Sequence, residues 1–309
     1  MAFRTAFKSG GRTVNAWFPR HMARGVLAIK GKLRNVDCVV EVHDARISFP
    51  CRNPLFKEEL DVRPRLLLLN KADLISVDDQ HRILVELAAQ GETNVLFTDC
   101  LQQLHHSVKQ VAPAVCKLIH SAPRHHREEA NYYSIMVVGI PNVGKSSLIN
   151  ALRRINLKKG KGSLVGATPG ITKSVLTRIR VSENPPISVL DTPGVMKPQI
   201  DAFDVGMKLA VCGTILDHLV GEDMIADYLL FVLNKCRIFK YVEYYELPAA
   251  SDDIWSVLKH IAVRMGKTQK VKTLTGIGKI TMHRPDYNFA ANEFLRSFRG
   301  GLLGKVVFD

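Results

Sequence analysis

Residues 139–147 read GIPNVGKSS, and no other stretch constrains the fold as much. It fills the pattern GxxxxGK(S/T). The apolar run YSIMVVGI (133–140) precedes it, and SSLINALRR (146–154), with helical spacing, follows. A strand, a glycine-rich turn and a helix in that order make a phosphate-binding loop. Gly139 and Gly144 let the backbone wrap close to phosphate oxygens, and successive N–H groups point inward at the helix N-terminus. Lys145 is placed to reach the β- and γ-phosphates. Asn142, Val143, Gly144 and Ser147 complete the cradle, and the Ser146 hydroxyl is a ligand for Mg2+.

Further motifs end other apolar runs. NKAD (70–73) follows RLLLL. One carboxylate accepts from both N1–H and N2–H of guanine, so Asp73 discriminates against adenine. Asn70 is expected to contact N7 and tie the loop together, while the Lys71 stem covers the base. FTDC (97–100) ends the next strand, where a backbone N–H near Thr98 or Asp99 supports the guanine O6. LDTPG (190–194) places Asp191 for water-mediated contact with Mg2+ and the Gly194 N–H for the γ-phosphate. PGIT (169–172) lies between the phosphate loop and LDTPG, the place of a switch threonine that closes on Mg2+ when a γ-phosphate is present. Thr172 is the first choice and Thr168 the second. In GTP-binding proteins the phosphate loop ordinarily precedes the guanine motif. Here it follows by about 70 residues. All these signals fall on the carboxyl edge of one sheet, where open α/β sheets bind ligands. The chain is therefore read as one GTPase opened at a different loop, a rearrangement tolerated when termini lie close together.

Strand-like runs at 36–42, 64–70, 94–98, 133–140, 174–181 and 185–191 alternate with helical stretches such as 78–90 and 146–154. This predicts an α/β fold with a mostly parallel sheet covered on both faces. The polar stretch 121–131 is an internal linker, and the Gly/Lys-rich 156–173 a mobile loop. Three regions are expected: a basic arm over 1–25, a permuted GTPase domain over 26–202, and a small helical domain over 203–309 with a basic face. In the last, Trp255, Leu258, Ile261 and Met265 recur at helical spacing, with Ser251 or Asp252 as N-cap and Gly266 as a stop.

Forty-three Lys and Arg against 29 Asp and Glu leave a net charge of +14, which argues for a polyanionic partner. The six cysteines show no CxxC spacing and, with the His pairs, no metal-ligand pattern, so they read as small buried thiols in a reducing compartment. No apolar run approaches the ~18–20 residues that span a bilayer. The first acidic residue is Asp37, and the Arg-rich start resembles a mitochondrial transit segment; an RNA-binding arm is the other reading.

WFPRHMARG (17–25), VVEVHDARISFPCRNP (39–54), LLLLNKADL, GIPNVGKSSLIN, PGIT and the FRGGLLG ending together resemble the circularly permuted ribosome-assembly GTPases of the YlqF/YawG type, across nearly the whole chain. That resemblance implies a Ras-like P-loop domain and a GTP-driven factor in maturation of the large ribosomal subunit. It also implies a helical C-terminal domain that contacts ribosomal RNA. For the mitochondrial members it implies work on the mitoribosome at the matrix side of the inner membrane, and the basic surface permits peripheral attachment there. The water-orienting glutamine of Ras-like proteins is replaced here by Val195, which cannot hydrogen-bond. Besides Lys145, two residues are candidates for the missing help. Asn142 matches a PNxGKS form that in related GTPases accompanies K+. His21 matches the family's WFPGHM histidine, though Arg20 stands where the family has glycine. The rival reading is a nucleotide-holding scaffold that docks RNA or the ribosome with little hydrolysis.

Overall fold

A computed structural model describes residues 3–7, 29–50, 63–101, 106–124, 127–158, 160, 162–163, 178–194, 202–275 and 278–309, with the backbone alone over 271–282. The chain divides into two compact units. One comprises Val14–Leu216 with Val307–Asp309, the other Asp217–Val306 with Met1–Thr13.

The first unit is built on six strands: β1 (Cys38–Asp44), β2 (Arg65–Asn70), β3 (Val95–Thr98), β4 (Tyr133–Val138), β5 (Arg178–Glu183) and β6 (Pro186–Asp191). Their order is β3-β2-β1-β4-β6-β5, and every neighbouring pair is parallel except β5–β6. The α/β class and mostly parallel sheet are therefore as expected. The sheet is apolar on both sides. Val39, Leu67, Leu69 and Met136 face one way and Val40, Val42, Leu66, Leu68 and Val137 the other, all within 2% exposure. Parallel strands buried on both faces read as unbroken apolar runs, which is why they were visible in the sequence.

Helices α1 (Val77–Ala89), α2 (Val111–His120), α3 (Lys145–Leu157) and α4 (Phe203–Val211) flank the sheet in sequence. Ser76 caps α1 by accepting from Asp79 N at 3.1 Å, and Asp78 and Asp79 in the first turn suit the positive helix end. The linker from α2 to β4 is pinned, not free. Arg124 and Arg127 donate to buried Asp37 at 3.3 and 3.0 Å, and Asp37 also accepts from Ser134 N at 2.7 Å. This linker closes the gap through which an unpermuted chain would enter and leave.

The second unit holds α5 (Glu222–Lys235), α6 (Lys240–Tyr245), α7 (Ile254–Arg264) and α8 (Tyr287–Arg299). It departs from expectation in four ways. It begins at Asp217, so α4 belongs with the sheet and not with the helical region expected from residue 203. It contains a hairpin, β7 (Thr268–Thr275) with β8 (Gly278–Pro285), paired antiparallel. In α7 the buried stripe is Ile254, Val257, Leu258, Ile261 and Ala262, while Trp255 is 51% and Met265 40% exposed. The N-cap is Asp253, which accepts from Trp255 N and Ser256 N at 3.2 Å. Gly266, at φ +63°, does end the helix. Residues 3–7 also belong to this unit. Arg4 pairs with Asp227 at 2.7 Å, and Phe7 meets Tyr228 edge-on at 5.1 Å. Among the described cysteines, Cys38, Cys100 and Cys212 are buried, but Cys236 is exposed, against the expectation that all are buried.

Candidate active site

Four loops leave the carboxyl edge of the sheet side by side. Asp44 stands in register with Asn70, Asn70 with Thr98, and Val137 with Asp191. The edge thus collects the guanine motif, the residues after β3, the phosphate loop after β4 and the DTPG turn after β6.

Asn70 joins three of these loops. Its Nδ2 donates to Val143 O at 2.7 Å, and its Oδ1 accepts from Cys100 N at 3.1 Å and from Thr98 Oγ1 at 3.3 Å. It is 3% exposed, so each bond replaces water that cannot reach it. Lys71 follows in a left-handed conformation and pairs with Asp44 at 2.8 Å. Asp73 sits exposed in the short turn Ala72–Leu74.

The phosphate loop is set by close backbone approaches. At Gly144 (φ +104°) a Cβ would lie 2.1 Å from Asn70 Nδ2, so only glycine fits. Gly144 precedes α3 directly, and α3 opens with Lys145, Ser146 and Ser147 at its N-terminus. Lys145 is 7% exposed, and its ammonium folds over the loop, donating to Gly139 O at 3.0 Å and Ile140 O at 2.8 Å. Asn142 also has positive φ, 59°, and its Nδ2 donates to Gly213 O at 2.7 Å. Gly194 runs against the loop as well; a Cβ there would sit 2.7 Å from Pro141 N.

Asp191 is 5% exposed at the end of β6. Its Oδ2 accepts from Ser163 Oγ at 2.6 Å, while its buried Oδ1 has no hydrogen-bond partner among the described residues. Burial pushes its carboxyl up from the ordinary range, with the Ser163 bond and the Lys145 charge opposing. A buried carboxylate oxygen left open beside the Lys145 charge and the start of α3 fits a hard divalent cation. Two residues here lie within quoted motifs but were given no role by them. Asn150 accepts from Gly162 N and Ser163 N at 2.8 and 3.0 Å and donates to Ser163 O at 2.9 Å, so it fixes the segment that reaches Asp191. Thr192 Oγ1 donates to Val137 O at 2.7 Å and ties the DTPG turn to β4. His21, Thr168, Thr172 and Val195 lie outside the described residues.

A family model described as a 50S ribosome-binding GTPase matches residues 134–260. The chain is 60% identical over 307 residues to the mitochondrial ribosome-associated GTPase 1 of Ictalurus punctatus, covering 99% of this chain and 96% of that protein. It is 32% identical to the ribosome biogenesis GTPase A of Bacillus cereus, with 95% and 93% covered. The chain belongs to the circularly permuted, YlqF-type GTPases. Its fold is also similar to that of the GDP-bound structure of TM YlqF, with a TM-score of 0.56 at 21% identity over 91% of this chain. As a member of this family it is a GTP-hydrolysing enzyme, and such GTPases generally use Mg2+.

Proposed function

We propose that this chain is a GTP-hydrolysing assembly factor for the mitochondrial large ribosomal subunit, acting at the matrix side of the inner membrane through peripheral contact. One observation carries the catalytic half: the guanine motif, phosphate loop and DTPG turn meet at a single sheet edge, where Asn70 ties the guanine motif to the phosphate loop and Thr192 ties the DTPG turn to β4. The relatives' names, which speak of mitochondria and ribosomes, and the +14 charge support the partner. Among the described residues no helix is long and apolar enough to cross a membrane.

Asn70, Lys71, Asp73 and Thr98 form the base side of the site. Asn142, Val143, Gly144, Lys145, Ser146, Ser147 and Gly194 form the phosphate side. Ser146, Thr172 and Asp191 would hold Mg2+, which would supply charge neutralisation for the phosphates. Lys145 swings from its two carbonyl partners to phosphate oxygens and stabilises the charge that grows there during transfer. Val195 cannot orient water, so His21 takes that role when the protein is on the ribosome. Asn142 would hold K+ through its amide oxygen, and the ion would supply further positive charge to the phosphates.

GTP favours ribosome binding and hydrolysis favours release. Co-sedimentation of the protein with large mitoribosomal subunits is therefore expected to rise several-fold with a non-hydrolysable GTP analogue relative to GDP. Equal pelleting with the two nucleotides would contradict a nucleotide-gated factor and favour the scaffold reading.

A further inference from the structure

The guanine-reading turn is held by residues that its motif does not contain. Lys71 has φ 61° and ψ 37°, a left-handed conformation uncommon for a residue with a Cβ. Its ammonium meets Asp44 Oδ2 at 2.8 Å. Arg46 closes on the same carboxylate, Nε to Oδ1 at 3.0 Å and Nη2 to Oδ2 at 2.7 Å. Asp44 and Arg46 are 0% and 1% exposed. Burial penalises the Asp44 charge, but Arg46 and Lys71 outweigh it and hold the carboxyl far below the usual carboxylate range. A buried pair of this kind is strongly destabilised when its geometry is disturbed.

The segment Val307–Asp309 returns to this network after the chain has passed through the helical unit. Phe308 N donates to Arg46 O at 2.7 Å. Phe49 N donates to Asp309 Oδ1 at 3.0 Å. Val307 packs against the core cluster of Ala45, Leu67, Leu69, Ile75, Ile83 and Leu87. Three members of that cluster frame the reading turn. Ala45 separates Asp44 from Arg46, Leu69 immediately precedes Asn70, and Ile75 lies two residues beyond Asp73.

We propose that Val307–Asp309 is a positioning element for guanine recognition. It fixes the Asp44–Arg46 corner, and through Lys71 and the shared cluster it fixes the direction in which Asp73 meets the base. This rests on the reading of Asp73 as the guanine contact. The consequence is that base discrimination depends on residues more than 230 positions downstream of the motif that performs it.

The test compares GDP with IDP, which lacks the 2-amino group, by displacement of a fluorescent GDP from the full-length protein. The ratio of the two affinities reports how well Asp73 is aimed. The wild-type protein is expected to favour GDP by about 10- to 100-fold, the worth of one hydrogen bond to a charged group. Val307→Asp is expected to cut that ratio at least about fivefold, while Val307→Ile preserves it. If Val307→Asp does not fold, Asp309→Ala removes the carboxylate that accepts from the Phe49 and Ser48 N–H groups and is expected to lower the same ratio by a smaller factor. A variant ratio equal to the wild-type ratio, even with uniformly weaker binding, overturns the positioning role. A wild-type ratio near one overturns the guanine reading itself, and the proposal with it.

Discussion

At the scale of single residues, side chains with one job at the surface of a motif have a second job inside it. Asn70 is expected to touch the base, yet it also ties Val143, Thr98 and Cys100 together and so sets the distance from base to phosphates. Asp73, exposed nearby, is the residue expected to carry the discrimination. An amide at position 73 would face the guanine 2-amino group with its own N–H2 and suits xanthine, whose 2-oxo group accepts. Asp73→Asn is therefore expected to lose about 100-fold in GTP affinity and to gain affinity for XTP. Competition of the two nucleotides against labelled GDP checks this, and retained GTP preference would remove Asp73 from base recognition. The buried network on β1 gives a pH prediction. Glu41 bonds His43 Nε2 at 2.8 Å and Arg65 Nη1 at 2.7 Å. Burial opposes its charge, but His43 and Arg65 prevail and bring its carboxyl down to about 2. A carboxyl depressed in the folded state adds stability above its unfolded value and loses it as pH falls toward the folded one. Acid unfolding is therefore expected between about pH 4.5 and 2. Glu41→Gln is expected to cost about 3 kcal/mol at neutral pH and to flatten that acid limb; an unchanged denaturation profile from pH 7 to 2 would refute it.

At the scale of elements, the phosphate loop and the parallel strands were legible because glycine spacing and unbroken apolar runs have few other uses. The hairpin β7–β8 was not legible, since Thr268–Thr275 alternates polar and apolar residues weakly, and its neighbours are helices. Trp255 was misread for a related reason. A spacing of three and four marks a face but not its edges: Leu258 and Ile261 of the expected stripe are buried, while Trp255 and Met265 fall outside it and Ile254 and Val257 complete it. The buried Asp44–Arg46–Lys71 corner was also invisible, because a carboxylate two residues from a guanidinium looks like surface in a one-dimensional string. The Asn150 clamp on Gly162 and Ser163 is not announced by the string GIPNVGKSSLIN that Asn150 ends, and arises only where α3 passes the loop. Capping shows how an element-level reading was nearly right. The cap of α7 is Asp253, one residue past the expected candidates, bonding two N–H groups of the first turn. Asp253→Ala is expected to cost about 1 kcal/mol, read as a lower denaturant midpoint with an unchanged slope; no shift would mean that packing alone holds the helix start.

At the scale of the whole molecule, the permutation leaves the G domain's sheet intact. Renumbered from the strand that carries the phosphate loop, the order β3-β2-β1-β4-β6-β5 becomes 6-5-4-1-3-2, that of a Ras-like domain. What the permutation changes is what the nucleotide motifs are joined to. The DTPG turn now leads toward α4, and the helical unit lies in sequence between Leu216 and Val307. Both of its chain connections start from segments bonded to the site, Gly213 to Asn142 and Phe308 to Arg46. A chain of this order suits a machine whose nucleotide state is reported to an appended domain and whose appended domain can act back on the nucleotide. The most direct measurement is GTP turnover by the purified protein in K+ buffer, with and without large mitoribosomal subunits, beside Lys145→Ala. The account predicts slow turnover alone, stimulation of at least about tenfold by subunits, and loss of both in the variant. Turnover that is unaffected by subunits, with GTP still bound, would contradict it.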